Sequence, residues 1–242
     1  MSNNETHPTD ASSVAEVSYK LGDCYELIKD LPDNSVDLIL TDPPYGINKE
    51  GVIGDDSLDT FKNIQDELYR VLKTDRWAVF FVPNGRLPEV LEFMPFDYVW
   101  SCMVFYSNMQ RVNHIPIGRC MTSMYIVFKK GNPKTNRKIW DIQKYVYRGE
   151  DIVKHPSPKP IVVCERIVTA FSKPNDMVFD PFLGSGTTLM ACRNTGRNGL
   201  GYEINEEYEQ VIKERIKESV PELMKYDSLP QGRGGVGNER SE

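Results

Sequence analysis

The chain has 242 residues, 40% hydrophobic and 26% charged, with a formal net charge of −6. This composition excludes collagen-like, coiled-coil and wholly disordered chains. The longest unbroken apolar run, Trp77 to Val82, falls far short of the ~20 residues a membrane-spanning helix requires, and an acidic total argues by itself against a nucleic-acid partner.

Residues 1–16 are polar and acidic and lack the apolar stretch of a secretion signal, so a loose tail and a cytoplasmic location are expected. A first short strand, Ser18–Leu21, runs into Gly22-Asp23, and Asp33-Asn34 marks a turn. Val36–Thr41 is apolar except for Asp37 and Thr41, as a strand buried on both faces would be. It ends at Asp42-Pro43-Pro44-Tyr45. Two prolines cannot continue a central strand, so the chain must turn outward there. That turn presents the Asp42 carboxylate, the Pro43 carbonyl and the Tyr45 ring at the sheet edge. The stretch 46–59, with Gly46, Gly51 and Gly54, predicts a loop, either one that closes over a ligand or a plain surface connection.

Leu58, Phe61, Ile64, Leu68, Val71 and Leu72 follow helical spacing. Strands are then predicted at Trp77–Val82, Val99–Tyr106 and Met124–Phe128, and a helix over 161–171. A strand at Met177–Phe179 leads through Asp180-Pro181-Phe182-Leu183-Gly184-Ser185-Gly186 into a helix beginning near Thr187. A last strand, Gly199–Tyr202, precedes a helix from Glu206 to Lys217. Strands alternating with helices predict a Rossmann-like α/β fold: a doubly wound, mostly parallel sheet with helices on both faces and ligands at the strands' carboxyl ends. The folded domain is expected over 17–226, and the glycine-rich segment 227–242 is expected to be a second loose tail.

Gly184 and Gly186 permit close backbone approach to a ligand, and the helix start offers free N–H groups to an anion. The third glycine of a dinucleotide fingerprint is missing, since Leu189 stands in its place, and no P-loop lysine follows. Glu203, ending the next strand, is placed to accept hydrogen bonds from ribose hydroxyls. A nucleoside with an anionic amino-acid tail suits this arrangement, and S-adenosylmethionine is such a ligand. Five dispersed cysteines without a C-x-x-C pair, and three dispersed histidines, predict neither disulfides nor a metal site.

In chain order, Leu21-Gly22-Asp23-Cys24, Asp42-Pro43-Pro44-Tyr45, His155-Pro156-x-x-Lys159-Pro160, the Asp180–Thr188 segment and Gly201-Tyr202-Glu203 resemble the S-adenosylmethionine-dependent amino-methyltransferases of DNA. The order, with the catalytic tetrad before the cofactor loop, resembles the circularly permuted, beta-type branch. The resemblance implies that Asp42, Pro43, Pro44 and Tyr45 are catalytic. It places Asp180, Phe182, Gly184, Ser185, Gly186 and Thr187 on the methionine side of the cofactor. It assigns Glu203 to the ribose, Asp23 and the Cys24 backbone to the adenine, Lys159 to the cofactor carboxylate and a structural role to His155. It also implies double-stranded DNA as partner and a homodimer as the common assembly.

The charge is unevenly distributed. From Asn108 to Pro174 there are 13 Lys/Arg and 4 Asp/Glu, net +9, which leaves −15 for the rest. By composition Arg111, Arg119, Lys134, Arg137, Lys138 and Arg148, interleaved with aromatics, suit either DNA contact or a solvated basic face; the resemblance implies a DNA-recognition region there, at about 108–154, and so DNA contact. An Asp at the first tetrad position resembles adenine-N6 enzymes more than cytosine-N4 ones. The alternatives are cytosine-N4 methylation and a non-catalytic DNA-binding subunit.

Overall fold

The apolar runs assemble edge to edge. The computed structural model describes residues 15–107, 113–115, 118–146, 155 and 157–217, with 113–115 and 118–120 as backbone only. Its strands are β1 (Val17–Leu21), β2 (Val36–Thr41), β3 (Leu72–Val82), β4 (Asp97–Tyr106), β5 (Asn113–Ile115), β6 (Gly118–Cys120), β7 (Thr122–Lys130), β8 (Ile142–Tyr145), β9 (Met177–Asp180) and β10 (Asn198–Glu203). Its helices are α1 (Cys24–Leu27), α2 (Asp59–Asn63), α3 (Gln65–Val71), α4 (Leu87–Phe93), α5 (Ile161–Phe171), α6 (Thr187–Thr195) and α7 (Glu209–Lys217).

Eight strands form one sheet in the order β1-β10-β9-β2-β3-β7-β4-β8, and β5 and β6 pair as a separate hairpin. The first five are mutually parallel; β7 runs antiparallel to both β3 and β4, and β8 is parallel to β4. β2 is buried along its whole length. Ile39 points into the layer formed with α1 to α4, and Leu38 and Leu40 point into the layer formed with α5 and α6. Two apolar faces explain why its sequence lacks polar alternation.

The expected α/β fold is borne out, with three local differences. The amphipathic stretch 58–72 is two short helices separated at Ile64, and Leu72 already belongs to β3. The sequence reading missed α1, α4, β5, β6 and β8, which are too short for a periodicity to stand out: four, seven, three, three and four residues. The third difference, the antiparallel direction of β7, moves the chain that follows it, as described below. The predicted tails lie mostly outside the described residues.

One buried carboxylate staples the sheet at its amino-terminal edge. Asp37 on β2 is 4% exposed. It accepts from Lys73 Nζ at 2.8 Å, Arg76 Nε at 3.0 Å and the Met177 backbone N–H at 3.0 Å, joining β2, β3 and β9. Burial alone would raise its pKa, but Lys73, the Met177 N–H and Arg76 together hold it below the ordinary carboxylate value. A depressed folded-state pKa stabilises the fold above the unfolded value of about 3.9 and loses that contribution as pH falls through the folded one. Asp37→Asn is expected to lower stability by about 1–3 kcal/mol at neutral pH and to flatten the acid limb. Urea titrations at pH 7 and below pH 4 check this, and an unchanged midpoint at pH 7 would contradict it.

Candidate active site

The parallel strands deliver several loops to one edge of the sheet. Pairing between β2 and β9 extends only over Leu38–Val178 and Ile39–Phe179, so the two strands part just before Asp42 and Asp180. In a doubly wound sheet such a parting point is where ligands bind. A cavity of about 490 Å³ opens there, within the size range of nucleoside-type ligands. Every predicted catalytic and cofactor-contacting residue except Gly186 lines it. Gly186 instead caps α6, at φ 80°.

Asp180 is 3% exposed. Its Oδ1 accepts from Thr41 Oγ1 at 2.6 Å and from the Phe182 N–H at 3.1 Å, and its Oδ2 accepts from Thr188 Oγ1 at 2.6 Å. Burial pushes its pKa up to about 6 against these donors. Both oxygens are thus engaged by the protein, so Asp180 shapes the cavity wall through the ends of β2 and α6.

The glycine loop is held in a comparable way. Gly184 has φ +54°, and a Cβ there would stand 2.9 Å from His155 Nε2. Its N–H donates to Glu203 Oε2 at 2.7 Å, while Glu203 Oε1 accepts from the Asn205 N–H at 2.8 Å. Burial raises the Glu203 pKa. Each oxygen keeps a second lone-pair direction for a ligand hydroxyl. Asp23 caps α1, its Oδ1 accepting from the Tyr25 N–H at 2.9 Å, beside buried Cys24. Burial depresses the His155 pKa to about 4. The imidazole is therefore neutral near pH 7; it accepts from the Ser157 N–H at Nδ1 and packs edge-on to Tyr208. Arg215 on α7, unremarked in the sequence, lies beneath the loop and donates to Ser185 O, Ser185 Oγ and Thr187 Oγ1 at 2.7, 2.8 and 3.1 Å. Only the fold reveals it, since α7 reads as an ordinary amphipathic helix.

At the other end of the cavity, Tyr45 is 6% exposed, edge-on to Phe61, and donates its hydroxyl to Asp42 Oδ1 at 3.2 Å. Burial, with Asp42 beside it, raises its phenol well above the ordinary value, so it stays a neutral donor. Lys159 lines the cavity as well: its ammonium is ion-paired with Asp42 Oδ2 and lies 5.1 Å from the Phe81 ring centroid. Lys49, missed in the sequence, lines the same cavity, and burial followed by the nearby Lys159 charge lowers its pKa.

The predicted DNA-contact residues do not form one face. Lys134, Arg137 and Lys138 are exposed, but at the opposite edge of the sheet from the cavity. Trp77 Nε1 donates to the Lys134 carbonyl, and the Asn136 N–H donates to the Ala170 carbonyl at the carboxyl end of α5. Because β7 runs antiparallel, its carboxyl end carries the chain to the amino-terminal edge of the parallel strands. Thr122 at the start of β7 lines the cavity, so the β5–β6 hairpin that contains Arg119 is inserted on the cavity edge. Arg111 and Arg148 lie outside the described residues.

Among the described residues no cluster of His, Cys, Asp or Glu could hold a metal ion. Cys24, Cys102, Cys164 and Cys192 are free and buried, and among the described residues no helix is long and apolar enough to cross a membrane. The N6/N4 methylase family model, described as DNA methylase, matches residues 105–214. The chain is 31% identical to YubD of Escherichia coli K12 over 211 residues, covering 81% of this chain and 88% of that protein. It is 28% identical to the DNA adenine methyltransferase YhdJ of the same strain, with 77% and 78% covered. Among solved structures, the M1.HpyAVI–SAM complex aligns with a TM-score of 0.67 at 24% identity, covering 83% of this chain and 99% of that one. The PvuII cytosine-N4-specific DNA methyltransferase aligns with a TM-score of 0.69 at 20% identity, covering 84% and 87%.

Gly184→Ala tests the glycine loop. A left-handed alanine costs about 1–2 kcal/mol and would press on His155, so the loop must shift its N–H groups. The affinity for S-adenosyl-L-homocysteine is expected to fall about tenfold or more with the far-UV circular dichroism unchanged. Calorimetric titration measures it, and wild-type affinity would rule out a ligand against this loop.

Proposed function

The chain belongs to the N6/N4 family of S-adenosylmethionine-dependent DNA amino-methyltransferases, and we propose that within it this protein methylates adenine N6 at a specific DNA sequence. The observation that carries this reading is the convergence of Asp42, Pro43 and Tyr45 with Glu203 and the glycine loop on one cavity. Adenine is supported by the Asp at the head of the tetrad and by the 28% identity to YhdJ, named for adenine. The cytosine-N4 reading has the PvuII enzyme in its favour, at 20% identity. Both readings use the same chemistry, because each target is an exocyclic amine.

The cavity fits the cofactor. Glu203 offers acceptor oxygens to a ribose, the start of α6 offers donors to a carboxylate, and Asp23 stands where an adenine amine would donate. When bound, S-adenosylmethionine supplies a sulfonium-activated methyl group. The remaining work falls to the protein. An exocyclic amine on a nucleobase is a weak nucleophile because its lone pair is delocalised into the ring. The Asp42 carboxylate and the Pro43 carbonyl accept its two hydrogens, which favours a pyramidal nitrogen with a localised lone pair. This is catalysis by position and by oriented acceptors.

The amine cannot reach such a cavity from within a duplex, so the base must leave the stack. Tyr45, buried and fixed edge-on by Phe61, provides the aromatic wall for it. Lys159 holds Asp42 at Oδ2, and the base amine competes with that ammonium for the carboxylate. The reaction needs no covalent enzyme intermediate, which leaves the buried cysteines without a chemical role. DNA approaches the edge that bears the β5–β6 hairpin, which contains Arg119; Arg111 and Arg148, outside the described residues, are proposed as phosphate contacts from their sequence context alone. Lys134, Arg137 and Lys138, on the far edge, are not.

Asp42→Ala is expected to reduce transfer of labelled methyl groups to unmethylated DNA by about 10²–10³-fold or more, with S-adenosyl-L-homocysteine affinity within about threefold of wild type. Undiminished transfer would remove Asp42 from the mechanism.

A further inference from the structure

The loop joining Tyr45 to α2 contains a buried charge that the mechanism does not use. Asp55 is 4% exposed, and its carboxylate accepts three backbone N–H groups. Oδ1 takes Tyr45 N at 2.5 Å and Gly46 N at 2.9 Å; Oδ2 takes Lys49 N at 2.8 Å. The Asp55 carbonyl also accepts from Asn48 N at 2.7 Å. Desolvating a carboxylate is costly unless its lone pairs are satisfied, and three oriented N–H donors achieve that without a cation. The donors follow directly upon the tetrad, and the first is the N–H of Tyr45 itself.

The loop is closed around this carboxylate. Gly46 has φ +68°, and a Cβ there would lie 2.8 Å from the Ser57 carbonyl carbon. From outside, Arg86 Nη2 donates to the Gly46 carbonyl at 2.9 Å and Tyr208 Oη donates to the Gly51 carbonyl at 2.6 Å. These two contacts anchor the loop to the segment after β3 and to the turn before α7. The Pro44–Tyr45 peptide is therefore held from the loop side by Asp55 and from the sheet side by β2.

We propose that Asp55 is the positioning residue of the tetrad: by fixing the Tyr45 N–H, it sets the Tyr45 ring against Phe61 and its hydroxyl against Asp42. The inference rests on the reading of Asp42 and Tyr45 as the groups that receive the target base. It predicts that Asp55 controls the methyl-transfer rate rather than cofactor affinity, because the cofactor loop is built by other contacts through Glu203, Asp180 and Arg215.

Asp55→Asn and Asp55→Ala are compared with Asp56→Asn, which changes the exposed neighbouring carboxylate, and with Asp42→Ala. Labelled methyl transfer to unmethylated genomic DNA gives kcat and the KM for S-adenosylmethionine. Asp55→Ala, which removes the acceptor of the Tyr45 N–H, is expected to lower kcat about 10²-fold, as a small misplacement of a catalytic group does, with that KM within about threefold and Asp56→Asn unchanged; Asp55→Asn, which keeps one acceptor oxygen for Tyr45 and Gly46, is expected to fall between Asp55→Ala and the wild type. A folded Asp55→Ala variant with wild-type kcat, or with kcat lost only in step with cofactor affinity, overturns the proposal. The amide resonances of Tyr45 and Gly46 give a readout independent of activity. In the wild type they are expected downfield and slow to exchange; rapid exchange there overturns the proposal even where the variants fail to fold. If Asp42→Ala retains full activity, the functional reading fails, while the amide resonances still decide whether Asp55 holds Tyr45.

Discussion

The site depends on one carboxylate that never needs to meet a substrate. Asp180 accepts Thr41 Oγ1 from the strand that ends in the tetrad and Thr188 Oγ1 from the helix that follows the glycine loop. β2 and β9 have already stopped pairing when they reach this level. Without a bridge, two loops of opposite purpose would be set only by the looseness of two diverging strand ends. A buried carboxylate with three donors provides a directional link in a medium where leaving it unsatisfied would be costly. It fixes the distance between the place where a methyl donor can lie and the place where an amine can be held.

The carboxylates around the cavity divide by the kind of partner they have. Asp55, Asp180 and Glu203 are satisfied by backbone N–H groups and threonine hydroxyls, which belong to the framework. Asp42 is paired with the ammonium of Lys159, on a flexible four-carbon stem. The framework carboxylates build geometry, while Asp42 has a partner that, under the proposed function, an incoming amine would displace. Arg215 completes the framework from beneath, bringing α7 against the loop that the cofactor requires.

Much of this was legible locally. A buried strand stopped by two prolines, a glycine-rich strand-to-helix turn and an acid ending the next strand each announce themselves within a few residues, and the fold places all three on one cavity. What was not legible depends on distant parts of the chain. Lys159 lies 117 positions from Asp42, and Arg215 lies 30 from Ser185. Asp55 looks like one acidic loop residue among several until the backbone turns its own N–H groups toward it. The direction of β7 was also hidden, because an apolar run reads the same parallel or antiparallel. That direction sets Lys134, Arg137 and Lys138 on the edge of the sheet opposite the cavity, which their charge alone could not indicate.

Net charge misleads here for a related reason. A total of −6 conceals a segment of +9, and even that segment is divided by the fold between two edges. The central claim is that this cavity joins a methyl donor to the N6 of a flipped adenine. It is tested most directly by expressing the chain in a host that lacks other DNA methylases and analysing the nucleosides of that host's DNA by mass spectrometry. The account predicts N6-methyladenine, absent from cells that express Asp42→Ala. N4-methylcytosine in its place, or no modified nucleoside from the wild-type chain, would contradict it.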